Sequence, residues 1–411
     1  MTTMGNGLTV LLVEDHAVDV VAIDVWVKAG SACETAANSG VSHFVEHMVF
    51  GRTIKREPGD MDNEMESLGA ELGAHTSRDW AHFSTTVSTR YLSKALEVLA
   101  DAMQNAQFKD QEVERERMVI LDEIAKKRTN PIKVCKDYLA AEIYGTHPYA
   151  RPVEGTVETL KKLTPTDITD YYRKYYVPKN MAVVLVGNVD KQKAVSAVGE
   201  AFQGLSGALA PQPTEKEVAP LIKQINKTFK EPLGGDFLAI GFLGPPASEY
   251  KDVCATDVAL SYLGFGYRSW MAEELKGKLA LATEASADFL TEKQRGMISL
   301  MAAVTEGNAS RAKGAIFARI ASLQQDGIQS DRLALAKRSL LGQYAFENET
   351  YGGQANSLGF YHLVSEAEFA SKYIDCVQSV TNDDVMRVAK LYMSSDKAVV
   401  LTVGPNQGGQ N

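Results

Sequence analysis

Residues 163–187, LTPTDITDYYRKYYVPKNMAVVLVG, align without a gap to residues 380–404, VTNDDVMRVAKLYMSSDKAVVLTVG. Thr164 and Thr381 both stand at an N-cap position with Asp167 and Asp384 at N3, the pattern of a reciprocal capping box. Each segment then reads as a helix, Tyr175 matching Tyr392 near its end. Each continues into a short apolar strand stopped by Gly187 or Gly404. The offset of 217 residues (163 to 380) is about half of the 411-residue chain, far longer than a solenoid repeat. One domain design used twice is therefore expected, over residues 1–205 and 222–411, joined by a Pro-containing polar linker at 206–221.

Working outward through the first copy, Leu8–Val13 and Val18–Val27 are Val/Ile-rich and read as strands, and Phe83–Val87 as another. Short helices are expected around VSHFVEHMVF and at Met61–Leu68. Longer ones follow at Tyr91–Gln104 and Gln111–Lys127, the last apolar at Val113, Ile120, Leu121 and Ile124. Strands, then helices, then strands again indicate an α+β fold with an antiparallel or mixed sheet in each domain.

Composition excludes several function classes. With 45% hydrophobic and 23% charged residues the chain is ordinary for a globular protein. Its 43 Lys+Arg against 52 Asp+Glu give a net charge of −9, and no basic block is present, which argues against nucleic acid and anionic membranes as partners. Apolar runs such as Met181–Gly187 are strand-sized, so no membrane span is expected. The start, MTTMGNGLTVLLVEDH, carries no export signal, which favours the cytoplasm, or the periplasm or outside if a signal has been removed. Cys33, Cys135, Cys254 and Cys376 form no CxxC pair and read as buried free thiols of a reducing compartment.

The chemistry concentrates at His43-Phe44-Val45-Glu46-His47. Two imidazoles four residues apart share one helix face, the spacing that lets both reach one zinc ion. Glu46 shares that face, close enough to take a proton from an attacking water. Val41, Phe44, Val45 and Met48 give the opposite face an apolar stripe. Two core histidines and a glutamate without a metal would be titratable groups partly buried at a cost. A catalytic zinc usually has a third protein ligand. The helix ERERMVILDEIAKK offers Glu116 and Glu123 on one face, with Asp122 about 100° away from it, and spacing alone does not choose between the two glutamates.

HxxEH is the inverzincin order, and these residues resemble the pitrilysin/insulysin family of zinc peptidases, in particular its short bacterial members and the mitochondrial processing peptidase β subunit. The resemblance extends through His147-Pro148-Tyr149, Gly155 and Tyr175–Met181 to SDRLALAKRSLLGQY in the second half. It implies one Zn²⁺ per chain held by His43, His47 and Glu123, with Glu46 as general base and Glu116 orienting a histidine. It also implies two similar α+β domains in tandem, a half-clamshell, the second without metal because Leu260 stands at the position matching His43. The substrate-pairing strand is expected at Gly73, Ala74, His75 and Thr76, where the family commonly has Asn-Ala-Tyr-Thr. His75 there reads as a polar strand residue more than as a side-chain contact. The family's chambers contain four such domains, so a homodimer, or a heterodimer with a paralogous subunit, acting on a peptide substrate is expected. A non-catalytic assembly subunit resembling the respiratory core proteins is the rival reading. Two departures stand out: the asparagine of the pairing strand is absent and Trp270 replaces an arginine usual in the family; no convincing arginine–tyrosine pair for gripping peptide is found, so a partner chain is expected to supply it.

Overall fold

The computed structural model describes residues 1–208 and 217–405, so residues 209–216 of the expected linker lie outside the described residues. The main strands of the first half are β1 (Thr9–Glu14), β2 (Val20–Val27), β3 (Gly73–Thr76), β4 (Ala81–Ser88) and β5 (Met181–Gly187), and Arg52–Thr53 pairs with Ala106–Gln107 in a separate short ladder. Those of the second are β6 (Ile225–Lys230), β7 (Asp236–Pro246), β8 (Ala282–Leu290), β9 (Arg295–Val304) and β10 (Val399–Gly404). The sheet orders are β1-β5-β2-β4-β3, with a two-residue strand at Thr2–Thr3 outside β1, and β6-β10-β7-β9-β8. In the first sheet β5 runs parallel to β1 and antiparallel to β2; in the second β10 runs parallel to β6 and antiparallel to β7. The fold is α+β with two mixed sheets of identical order, one per repeat.

Burial explains the strand sequences. Every residue of β5 is buried, as a strand covered on both faces requires, and MAVVLVG accordingly has no polar alternation. In β4 the buried residues are Ala81, Phe83, Thr85 and Val87, the period of two of a strand with one core face.

The helices used below are, in order, α1 (Val41–Val49), α2 (Leu92–Asn105), α3 (Asp110–Lys127), α4 (Pro131–Tyr144) and α5 (Pro165–Tyr175). The second half adds α6 (Tyr250–Gly264), α7 (Ala309–Asp326), α8 (Ser330–Glu347), α9 (Tyr351–Val364), α10 (Glu368–Ser379) and α11 (Asn382–Tyr392). Both expected capping boxes form: Thr164 N donates to Asp167 Oδ2 at 2.8 Å and Thr381 N to Asp384 Oδ2 at 2.9 Å, each answered by the return bond to the threonine hydroxyl. Thus α5 and α11 start alike and deliver β5 and β10 to the same place in each sheet.

The chain forms two compact units, and they differ from the contiguous stretches 1–205 and 222–411 by one helix each. Helix α9, from the second half, belongs to the first unit, where Tyr351, Ala355 and Leu363 pack on Leu11, Ala22, Trp26, Ala182, Val184 and Val186. Helix α4, from the first half, belongs to the second unit. There Leu139 and Ile143 sit so close over Gly241 of β7 that a Cβ at that position would meet them at 2.8 and 2.6 Å. Tyr138 of α4 stacks on Phe229 of β6 at 3.9 Å. Since α4 and α9 follow α3 and α8 at matching places in the two repeats, the exchange is reciprocal.

Among the described residues no helix is long and apolar enough to cross a membrane. All four cysteines are free; Cys135 and Cys254 are buried as expected, but Cys33 and Cys376 are only partly so.

Candidate metal centre

Helix α1 buries Val41, Ser42, Phe44, Val45, Met48 and Val49, leaving His43, Glu46 and His47 together on its half-buried face. One turn of helix separates the two imidazoles, whose ring centroids stand 4.6 Å apart at 72°. Helix α3 buries Val113, Arg117 and Ile120, the first and last in the core cluster that also holds Phe44 and Val45 of α1. That stripe turns Glu116 and Glu123 toward the histidines.

Glu123 Oε2 lies 3.4 Å from His47 Nε2 and 3.9 Å from His43 Nε2. Donor atoms of His43, His47 and Glu123 all fall within 4.8 Å of one another, the one such group of three among the described residues. Tetrahedral zinc bonds of about 2.0–2.2 Å separate donors by about 3.3–3.6 Å. The two Glu123–histidine separations are within a few tenths of an ångström of that spacing, and two nitrogens plus one carboxylate oxygen suit a catalytic zinc. Asp122 is not in the group. Glu116 Oε2 stands 3.7 Å from His47 Nδ1, on the far side of the ring from Glu123. A partner at one ring nitrogen directs the other outward.

Glu46 is not among the three donors. Burial raises its carboxyl pKa; Thr76 and His47 oppose the shift and the Glu123 charge adds to it. Its Oε2 is buried and has no hydrogen-bond partner, an expensive position for a carboxylate oxygen unless something else meets it. Thr76 ends β3, which is the last strand of its sheet and pairs only with β4, in the register Gly73↔Ser84, Ala74↔Phe83, His75↔His82 and Thr76↔Ala81. By strand alternation Ala74 and Thr76 face the α1 side. His75 faces the other way, 5.4 Å from the Trp80 ring, and burial lowers its pKa. The expected strand thus lies beside Glu46, with the His75 side chain turned from it.

One positioning residue escaped the sequence reading. Arg117 donates to the backbone oxygens of Leu160 and of Leu163 (2.7 Å), and its guanidinium stands 5.6 Å over the Phe44 ring. It pins α3 between the start of α5 and helix α1, which sets where Glu116 and Glu123 point. The available signal was an arginine sitting inside the apolar stripe between Val113 and Ile120.

Residues 9–157 match the family described as Insulinase (Peptidase family M16), and residues 162–340 match the Peptidase M16 inactive domain. A Mycobacterium leprae protein named an uncharacterized zinc protease is 30% identical over 353 residues, covering 83% of this chain and 77% of that one. The chain belongs to peptidase family M16. Its fold is shared with a protease from Helicobacter pylori of known crystal structure, at a TM-score of 0.93 and 24% identity, with 98% of each chain covered. Subunit 1 of the bovine mitochondrial cytochrome b-c1 complex is 33% identical over 207 residues, which cover 50% of this chain and 43% of that subunit. Within the M16 chain described here the inactive-domain match falls on the half in which Leu260, buried in α6, replaces the first motif histidine.

Proposed function

We propose that the chain is a zinc metalloendopeptidase hydrolysing peptides or unfolded protein segments, with one Zn²⁺ held by His43, His47 and Glu123. The observation that carries this reading is the convergence of those three donors within 4.8 Å of one another, next to the buried carboxylate of Glu46. Bound zinc supplies Lewis acidity to a peptide carbonyl and acidifies water. Glu46 accepts the proton of the attacking water at Oε2 and passes it to the leaving amine; the rise in its pKa makes it a stronger base for the first transfer. Glu116 holds His47 by Nδ1 so that Nε2 stays turned toward Glu123.

An extended peptide adds as a further strand along Gly73–Thr76, reading backbone more than side chain. A second chain, identical or paralogous, completes the enclosure, and the cytoplasm is the proposed compartment. The rival reading, an assembly subunit, draws support from the bovine complex subunit. The complete donor set weighs against it. The test is zinc content and cleavage of quenched peptides for wild type, Glu46→Gln and chelated protein, with and without a paralogous subunit. Glu46→Gln is expected to keep its metal and lose about 10²–10⁴-fold in rate. Metal-free wild type, or unchanged cleavage in Glu46→Gln, removes the proposal.

A further inference from the structure

Helix α1 carries three of the site's side chains on nine residues, yet it has no cap of its own. Its N-cap is Gly40, whose φ of 95° belongs to the left-handed region that favours glycine, and which has no side chain to offer. A Cβ there would also strike the Glu154 carbonyl oxygen at 2.6 Å. The orphan amides of the first turn are served instead by a carboxylate from the loop that follows β2. Glu34 Oε2 accepts from Gly40 N at 2.9 Å, while Oε1 accepts from Ser42 N at 2.9 Å and from Ser42 Oγ at 2.5 Å. Ser42 is the residue immediately before His43.

Glu34 is itself fixed. It is 6% exposed, and Arg151 donates to its backbone oxygen at 2.8 Å and to that of Ser31 at 3.0 Å. Burial pushes its carboxyl up to about 7, opposed by the Ser42 and Gly40 donors and by the Arg151 charge. A carboxylate kept where burial penalises it, and whose side-chain bonds go to one helix turn alone, is placed for that turn. The negative charge also suits the positive end of the helix dipole.

We infer that Glu34 is a positioning residue of the metal centre, the one that sets the rotation and axial height of α1 so that His43, Glu46 and His47 meet Glu123. This rests on the metal reading above, since the side chains it sets are those of the proposed site. Both oxygens act as acceptors at once. Glu34→Gln keeps the shape but turns an amide NH₂ against Gly40 N or against the Ser42 donors, so one end of the clamp fails. Ser42→Ala removes a single donor and leaves the two backbone bonds in place.

The experiment compares wild type, Glu34→Gln and Ser42→Ala by three readouts: amide hydrogen exchange over α1, zinc affinity by chelator competition, and the visible spectrum of the cobalt(II)-loaded protein. Circular dichroism checks overall folding. For Glu34→Gln we expect α1 amides to exchange at least about 10-fold faster without metal, zinc affinity to drop about 10-fold and the cobalt bands to move. Ser42→Ala shifts the same way by a smaller factor. Exchange and affinity within twofold of wild type in a folded Glu34→Gln overturn the inference. Should Glu34→Gln not fold, unchanged values in Ser42→Ala overturn it equally. If wild type binds no zinc but α1 exchange still accelerates in Glu34→Gln, the metal reading falls while the anchoring of α1 by Glu34 is upheld.

Discussion

Replacing Gly359 by alanine tests whether α9 needs a glycine at its point of closest approach to the first sheet. The helix presents Tyr351, Ala355, Gly359 and Leu363 to the sheet, one residue per turn. A Cβ on Gly359 would lie 2.0 Å from Trp26 Nε1 and 2.4 Å from Cε2. Ordinary contact is about 3.4–3.5 Å, so a separation of roughly 1.4 Å has to be found. The indole cannot yield easily: Trp26 is fully buried, stacked on His82 at 4.1 Å and edge-on to Trp80 at 4.9 Å. Lifting the helix forfeits its own contacts instead. Overpacking of this kind costs about 1–3 kcal/mol or more, and the better helix propensity of alanine returns about 1 kcal/mol. A net loss of about 2 kcal/mol corresponds to a urea midpoint lowered by about 1 M. Trp26 and Trp80 report it directly by fluorescence once the third tryptophan is removed by Trp270→Phe. Combining Gly359→Ala with Trp26→Leu is expected to recover part of the loss, a coupling between touching residues. A midpoint that stays put or rises in the single variant refutes the packing argument.

Three further outcomes are expected. Glu123→Gln, which removes the charged oxygen 3.4 Å from His47 Nε2, leaves a protein that no longer retains zinc through dialysis, read by elemental analysis. Arg56→Met takes the cation from Asp101, which is 2% exposed, receives Arg56 Nη1 at 2.7 Å and would keep only the neutral donors Thr53 and Asn105; breaking such a buried pair is expected to cost about 3 kcal/mol in denaturant titrations. Asp257 of α6, which accepts from the Tyr373 hydroxyl of α10 at 2.7 Å, is pushed by burial from an ordinary 3.8 up to about 7. Between those values the folded state holds a proton that the unfolded chain has released. Its contribution is therefore complete below about pH 4 and is lost as pH rises to about 7, by about 1.4 kcal/mol for each pH unit spanned by a full proton difference. Asp257→Asn is expected to flatten this slope and to raise stability at pH 8; an unaltered slope removes the assignment.

What the sequence revealed and what it concealed follow from the range of the interactions. Capping boxes at Thr164 and Thr381 are local, involving residues three apart, so their spacing alone announces them. The HxxEH spacing is likewise one helical turn, and the structure brings both imidazoles to Glu123. Choosing Glu123 over Glu116 needed the family resemblance, because both lie on one face of α3 and only the packing of Arg117 on Phe44 and on the Leu160 and Leu163 carbonyls sets their reach. Glu34 has no local signal, because its donors lie six and eight residues away and converge only after α1 forms. Helices α4 and α9 are not singled out from the sequence, and their partners lie far away in it: α4 covers β6 and β7, and α9 covers β1, β2 and β5.

The reciprocal exchange of α4 and α9 has a consequence for how the protein is made. The face of the first sheet that carries Trp26 is not covered until Val364 has left the ribosome, long after the sheet's own last strand at Met181–Gly187. Until then a nascent chain displays Trp26, Val184 and Val186 on an open apolar surface, a species prone to aggregate. Splitting the gene at the repeat boundary would yield a first product missing the cover for that surface and carrying an unemployed α4. The two repeats share one design, yet the first cannot close until a helix of the second has been made.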